Sequence, residues 1–210
     1  LLPYQAPRFD EINDSHYRPA FDEALRQKRA DIEAIVAERA APDFNNTVLA
    51  LEKSGVMLTR VSSVFFAMTS AHTNAYLQEL EEQFSTELAA LANDIWLNDT
   101  LFDRVESVWQ DRSALDAESR RLVEETYQRF ILAGARLNET EKAELKALNT
   151  EAASLTSQFN QRLLAADKTG GLVVDYAHQL DGLSATEIAD AAQAAAERGL
   201  NDRWLIPLLN

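Results

Sequence analysis

The chain has 210 residues, 46% hydrophobic and 26% charged, which is enough for one large domain or two small ones around a real core and excludes a disordered segment. Its 34 acidic against 20 basic residues leave a formal charge of -14 and a pI near 4.6, a surface that repels phosphate backbones and anionic lipid, so nucleic acid and membrane are excluded as partners. The absence of cysteine excludes a disulfide framework, a thiolate metal site and a cysteine nucleophile, and it fits a reducing compartment, so a cytoplasmic location is expected.

No basic-then-apolar leader opens the sequence, and its longest nearly apolar run, Val61 to Ala71, is too short to cross a bilayer core of about 30 Å. The chain does not begin with Met and stops at Pro207-Leu208-Leu209-Asn210 straight after an apolar run, so it reads as a piece of something longer. Six glycines and five prolines are few for this length, and long helices are expected.

The first helix covers Tyr17 to Arg39, where Phe21, Leu25, Ile32, Ile35 and Val36 recur at three- and four-residue steps and Pro19 falls in the first turn. Asn46 reads as the N-cap of a helix over Thr47 to Ser54, which Gly55 ends or kinks before a second apolar stretch reaching Ala71. Thr73 or Asn74 opens the next, with Leu77, Leu80, Phe84, Leu88, Leu91 and Ile95 on one face. Asp99 starts a shorter helix through Leu101, Val105, Val108 and Trp109, and Asp116 starts another through Leu122, Val123, Tyr127, Phe130 and Leu137. Asn138-Glu139-Thr140-Glu141 resembles a capping box, and Leu145, Leu148, Ala152, Leu155, Phe159 and Leu163 follow at helical spacing.

Strand signals come only late. Leu172-Val173-Val174 follows the Lys168-Thr169-Gly170-Gly171 turn, Ser184-Ala185-Thr186-Glu187 opens an alanine-rich helix that Gly199 closes, and Trp204-Leu205-Ile206 is a second strand candidate. Two short strands are too little sheet to stand alone, so they pack against helices or complete a sheet whose other strands lie beyond Asn210. The fold class is therefore mainly α, a multi-helix lobe with a minor β element near the C-terminal end: residues 1–167 form a helical bundle portion and 168–210 a short strand-helix-strand portion.

Chemistry is hard to find. The three histidines, His16, His72 and His178, lie too far apart in sequence for helical metal spacing and none begins a His-Glu-x-x-His pair, so each reads as structural. Carboxylate pairs such as Glu81-Glu82 and Glu124-Glu125 read as solvated helix faces. The Lys168 turn has the flavour of a phosphate loop, but its lysine precedes the glycines and the first Walker glycine is missing. No Gly-x-Ser-x-Gly elbow occurs. Sequons at Asn13, Asn45, Asn98 and Asn138 each stand at a predicted helix start, where asparagine serves as a cap. The cluster Val64-Phe65-Phe66-Ala67-Met68, with Trp96 and Trp109, reads as core. No catalytic, cofactor-binding or metal-ligating residue is assigned.

Four stretches nevertheless stand in a familiar order: His16-Tyr17-Arg18-Pro19-Ala20-Phe21, Pro42-Asp43-Phe44-Asn45-Asn46-Thr47, Val64-Phe65-Phe66-Ala67-Met68-Thr69, and Leu148-Asn149-Thr150-Glu151 running into Ser157-Gln158-Phe159-Asn160. Through them essentially all 210 residues resemble the N-terminal part of the thimet-oligopeptidase-like family of zinc metallopeptidases, and Phe44-Asn45-Asn46-Thr47 points to its carboxydipeptidase branch. The resemblance implies helical lobes around a deep channel, oligopeptide substrates, and zinc held by a His-Glu-x-x-His helix and a further glutamate. That motif does not occur here, so the resemblance implies one wall of the channel in a longer zinc peptidase, with no zinc and no activity in this chain alone and with bare apolar surface that favours self-association. A free-standing helical binding or scaffold module is the other reading.

Overall fold

The computed structural model describes residues 6–207, the side chains of 167–169 excepted, and 75% of it is helical. Among the described residues strand is confined to one small antiparallel pair, as the mainly α reading expects. The described chain divides between Ser157 and Gln158 into two compact units.

The first unit holds α1 (Tyr17–Ala37), α2 (Ala50–Lys53), α3 (Val56–Ala71), α4 (Ala75–Trp96), α5 (Asp99–Gln110), α6 (Ala117–Ala133) and the first part of α7 (Glu139–Thr169). The α1 periodicity puts Phe21, Leu25, Ile32 and Ile35 inside. Phe21 stacks on Phe84 of α4 with ring centroids 3.8 Å apart, and Phe65 of α3 meets Phe84 and Tyr17 edge-on at 4.7 and 5.1 Å. A second aromatic cluster joins α4, α5 and α6, where Phe130 meets Trp96 at 4.8 Å and Phe102 at 5.8 Å. Each fully buried side chain contributes about 1.5–3 kcal/mol and each aromatic pair about 0.5–1.5 kcal/mol more, so these clusters dominate the folding of the unit. The Val64–Met68 stretch is core where Phe65 is concerned, as its pattern indicated.

Capping decides most boundaries. Asn74 accepts the Leu77 N–H at 3.0 Å, Asn98 that of Leu101 at 2.9 Å, and Asp116 those of Glu118 and Ser119 at 3.0 Å. Asn138 and Glu141 form a full capping box, the Glu141 N–H on Asn138 Oδ1 and the Asn138 N–H on Glu141 Oε2, both 3.0 Å. Three boundaries differ from the sequence reading. α1 stops at Ala37 rather than Arg39, because Glu38 turns extended. The helical stretch expected from Thr47 begins at Phe44: Asp43 caps it by accepting the Asn46 N–H at 2.7 Å, and 44–49 wind as a wide π turn before α2. Asn46 is thus the reciprocal partner of the cap and Asn45 lies inside the turn, so neither is an N-cap. α6 ends at Ala133, and Leu137 lies beyond it, because Gly134 adopts a left-handed φ of 98° that closes the helix.

The loop ahead of α2 is tied to α5 by Arg104, whose side chain is almost wholly buried at 7% exposure. Its guanidinium donates to the carbonyls of Glu38 (2.9 Å) and Ala40 (3.4 Å), to Asn46 Oδ1 (3.0 Å) and to Thr47 Oγ1 (3.2 Å). α7 is joined to α4 through Asn93, which donates to the Lys146 carbonyl at 3.4 Å and accepts from Asn149 at 2.7 Å. Its expected apolar face is not a buried one: Leu148, Leu155, Phe159 and Leu163 are all exposed, Phe159 at 64%.

In the second unit the strands Gly171–Val174 (β1) and Trp204–Pro207 (β2) pair with each other antiparallel, Leu172 opposite Ile206 and Val174 opposite Trp204. Helix α8 (Ala185–Glu197) opens on the expected Ser184–Glu187 capping box and packs on β2 through the small residues Ala191 and Ala195, beside the buried Leu205. Among the described residues the two strands thus pair with each other and are supported by α8. Leu208, which extends the second strand candidate, and Leu209 and Asn210 lie outside the described residues, as do the side chains of Lys168 and Thr169.

Candidate functional site

The residues that sequence analysis weighed for chemistry stay apart. His16 closes a short 3-10 turn before α1 and its Nδ1 accepts the Asn13 N–H; His72 caps the C-terminal end of α3; His178 lies in a 3-10 turn of the second unit with its ring 5.7 Å from that of Tyr176. Glu124 pairs with Arg112 and Glu125 with Arg121, while Glu82 accepts from the Ser154 hydroxyl at 3.0 Å. Glu81 is half-buried, and burial holds its carboxyl above the ordinary glutamate range. Among the described residues no three His, Cys, Asp or Glu side chains gather as a metal would require, and the His-Glu-x-x-His motif does not occur in the sequence. Among the described residues, too, no helix is long and apolar enough to cross a membrane.

The feature that gathers groups of opposite character is a cavity of about 700 Å³ in the first unit, open to solvent between α1, α2, α4 and α6. Its floor comes from one face of α4, where Leu88, Leu91 and Ile95 succeed each other at helical spacing, and from Leu122 of α6. Its charged groups come from three helices: Lys28 from α1, Glu52 from α2, Glu125 and Arg129 from α6.

Both cations are held in place by their surroundings. The Lys28 stem lies across Gly55, so close that a Cβ there would sit 2.5 Å from Lys28 Cδ, and the ammonium donates to the Ser54 hydroxyl and carbonyl. Gly55 supplies the left-handed turn (φ 73°) between α2 and α3, and its N–H donates to Asp31 at 3.0 Å. Burial draws the Lys28 ammonium below the ordinary lysine range; Asp31 opposes the shift, Arg129 adds to it and Glu52 opposes it again. Arg129 lays its guanidinium over the Trp96 indole, 4.1 Å from the ring centroid. Among the described residues neither Lys28 nor Arg129 has a carboxylate within ion-pair distance, although Arg18, Arg26, Arg112, Arg121, Arg136 and Lys142 all do. Glu125, one turn before Arg129, pairs backward with Arg121 instead.

The sequence pattern marks Trp96 as core and singles out no role for Lys28. Trp96 does pack on Phe130, but it also lines the cavity. The signal that was legible is the Glu125 and Arg129 pair at one-turn spacing, opposite charges in a chain otherwise short of cations.

With this helical fold and its four motif stretches in place, the chain resembles the N-terminal region of the thimet-oligopeptidase-like peptidases. Over its whole length it is similar to the N-terminal region of dipeptidyl carboxypeptidase: 67% identical to that of Salmonella typhimurium and 66% to that of Escherichia coli, with all of this chain covered and 31% of each relative. An organellar oligopeptidase A of Arabidopsis thaliana is 23% identical over 99% of this chain and 27% of its own length. The chain thus spans about a third of the curated relatives it matches. No family model matches it.

Proposed function

We infer that this chain is the N-terminal, channel-wall segment of a zinc peptidase that releases C-terminal dipeptides from oligopeptides in the cytoplasm. The observation that carries the reading is the 67% identity, over the whole length of the chain, to a protein named dipeptidyl carboxypeptidase. The contribution of the segment is steric: a wall of long helices admits an extended peptide and turns away a folded protein. Zinc binding and attack on the peptide bond belong to residues outside this chain, whose sequence has no His-Glu-x-x-His motif.

The test uses the complete reading frame that contains the segment. N-blocked oligopeptides are incubated with the protein and the products read by mass spectrometry, before and after chelation and after zinc is returned. Sequential loss of C-terminal dipeptides that stops with chelator and returns with zinc is the expected result. Internal cleavage would place the protein with the oligopeptidases instead, and no cleavage would favour the binding-module reading.

A further inference from the structure

We propose that the cavity between α1, α2, α4 and α6 binds a zwitterionic dipeptide with apolar side chains, its carboxylate between Lys28 and Arg129 and its ammonium against Glu52 and Glu125. The lining is complementary to such a ligand group by group. Lys28 and Arg129, on different helices, line one cavity, and among the described residues neither has a carboxylate within ion-pair distance, in a chain that carries a formal charge of -14. A bound carboxylate gives both an ion-pair partner. The guanidinium of Arg129 rests its face on Trp96, which leaves its N–H edges for in-plane, paired hydrogen bonds to the two oxygens. The ammonium of Lys28 is already fixed by Ser54 and Gly55, so binding costs little side-chain ordering there.

Opposite charge on the same rim excludes a simple fatty acid, which offers nothing to Glu52 and Glu125. The spacing selects the length. Glu125 and Arg129 are four residues apart on α6, an axial separation of about 6 Å at 1.5 Å per residue. A free amino acid carries both charges on one carbon and falls short of that span. A dipeptide places its termini on two Cα atoms about 3.8 Å apart, with the ammonium and the carboxylate each one bond further out, and matches it. Leu88, Leu91, Ile95 and Leu122 then receive the apolar side chains, and about 700 Å³ falls within the roughly 300–1,000 Å³ of ordinary small-molecule pockets. The peptidase activity inferred above would release ligands of this class, but the assignment rests on the cavity and not on that activity.

Isothermal titration calorimetry of the protein with Leu-Leu tests it. Saturable binding is expected, at least tenfold tighter than that of leucine and of the uncharged N-acetyl-Leu-Leu amide. Arg129→Gln, at an exposed position, leaves the fold intact by circular dichroism and weakens Leu-Leu at least tenfold; Lys28→Met does the same to the affinity. Glu52→Gln weakens Leu-Leu but not N-acetyl-Leu-Leu, which lacks the ammonium. Absence of saturable heat with Leu-Leu at millimolar concentration overturns the proposal, as does equal binding of the uncharged analogue or an Arg129→Gln variant that binds like the parent.

Discussion

Replacing Arg104 by Met keeps most of the buried stem and removes the guanidinium, and with it four hydrogen bonds between α5 and the 38–47 loop. Hydrogen bonds to a charged group contribute about 1.5–3 kcal/mol each where nothing replaces them. The carbonyls of Glu38 and Ala40 belong to exposed residues, so water takes over there. Thr47 is fully buried and its hydroxyl keeps only the bond to Asn46 Oδ1 at 2.7 Å. Against these losses stands the Nε of Arg104, which is buried with no hydrogen-bond partner among the described residues, so its removal recovers about 1–3 kcal/mol of desolvation. The net expectation is a destabilisation of about 2–4 kcal/mol, comparable to other losses of buried charged partners. For a unit of this size that lowers the melting temperature by about 5–12 °C. Thermal unfolding followed by tryptophan fluorescence in a Trp204→Phe background reads the change in the first unit, where Trp96 and Trp109 remain. A shift below about 2 °C would falsify the assignment of Arg104 as the tie between α5 and the loop.

Two further outcomes follow from single side chains. Gly134→Ala should lower stability by about 1–2 kcal/mol, because a left-handed φ of 98° strains any other residue and the new Cβ would lie 2.8 Å from Leu137 Cδ1 and 2.9 Å from Leu145 Cδ2; an unchanged urea midpoint contradicts this. Glu81→Gln should stabilise the protein at pH 7. Burial raises the folded-state carboxyl above its unfolded value, so the ionised group is a cost at neutral pH that fades as the pH falls through the folded value and is gone below the unfolded one near 4.5. Urea midpoints of variant and parent should differ at pH 7 and converge near pH 4, and a difference that persists at pH 4 means that the carboxylate is not the cause.

Much of the first unit was legible because its signals are local. Asn74, Asn98 and Asp116, like Ser184 in the second unit, each satisfy a backbone N–H two or three residues on, so a cap and a change of hydrophobic period mark the same boundary. Asp43 was missed because the π turn it opens has no 3.6-residue period to announce it, and Asn46, its partner, carries an equally good capping side chain. The face of α7 was misjudged for a different reason: periodicity reports which residues share a side of a helix but not whether anything covers it. The cavity could not be read at all, since Lys28, Glu52 and Arg129 are brought together by tertiary packing of helices distant in sequence. Only the one-turn relation of Glu125 to Arg129 was written along the chain.

The uncovered side chains of α7 also divide two pressures that act together everywhere in the core. At Phe84, fully buried against Phe21 and Phe65, a polar replacement costs folding itself. At Leu148, Leu155, Phe159 and Leu163 the side chains touch so little of this fold that replacement by Gln or Lys shifts its stability by no more than about 0.5 kcal/mol. These positions are thus free to drift as far as folding is concerned. A survey of natural variants that found them held apolar would therefore be measuring a constraint that this chain's own stability does not impose.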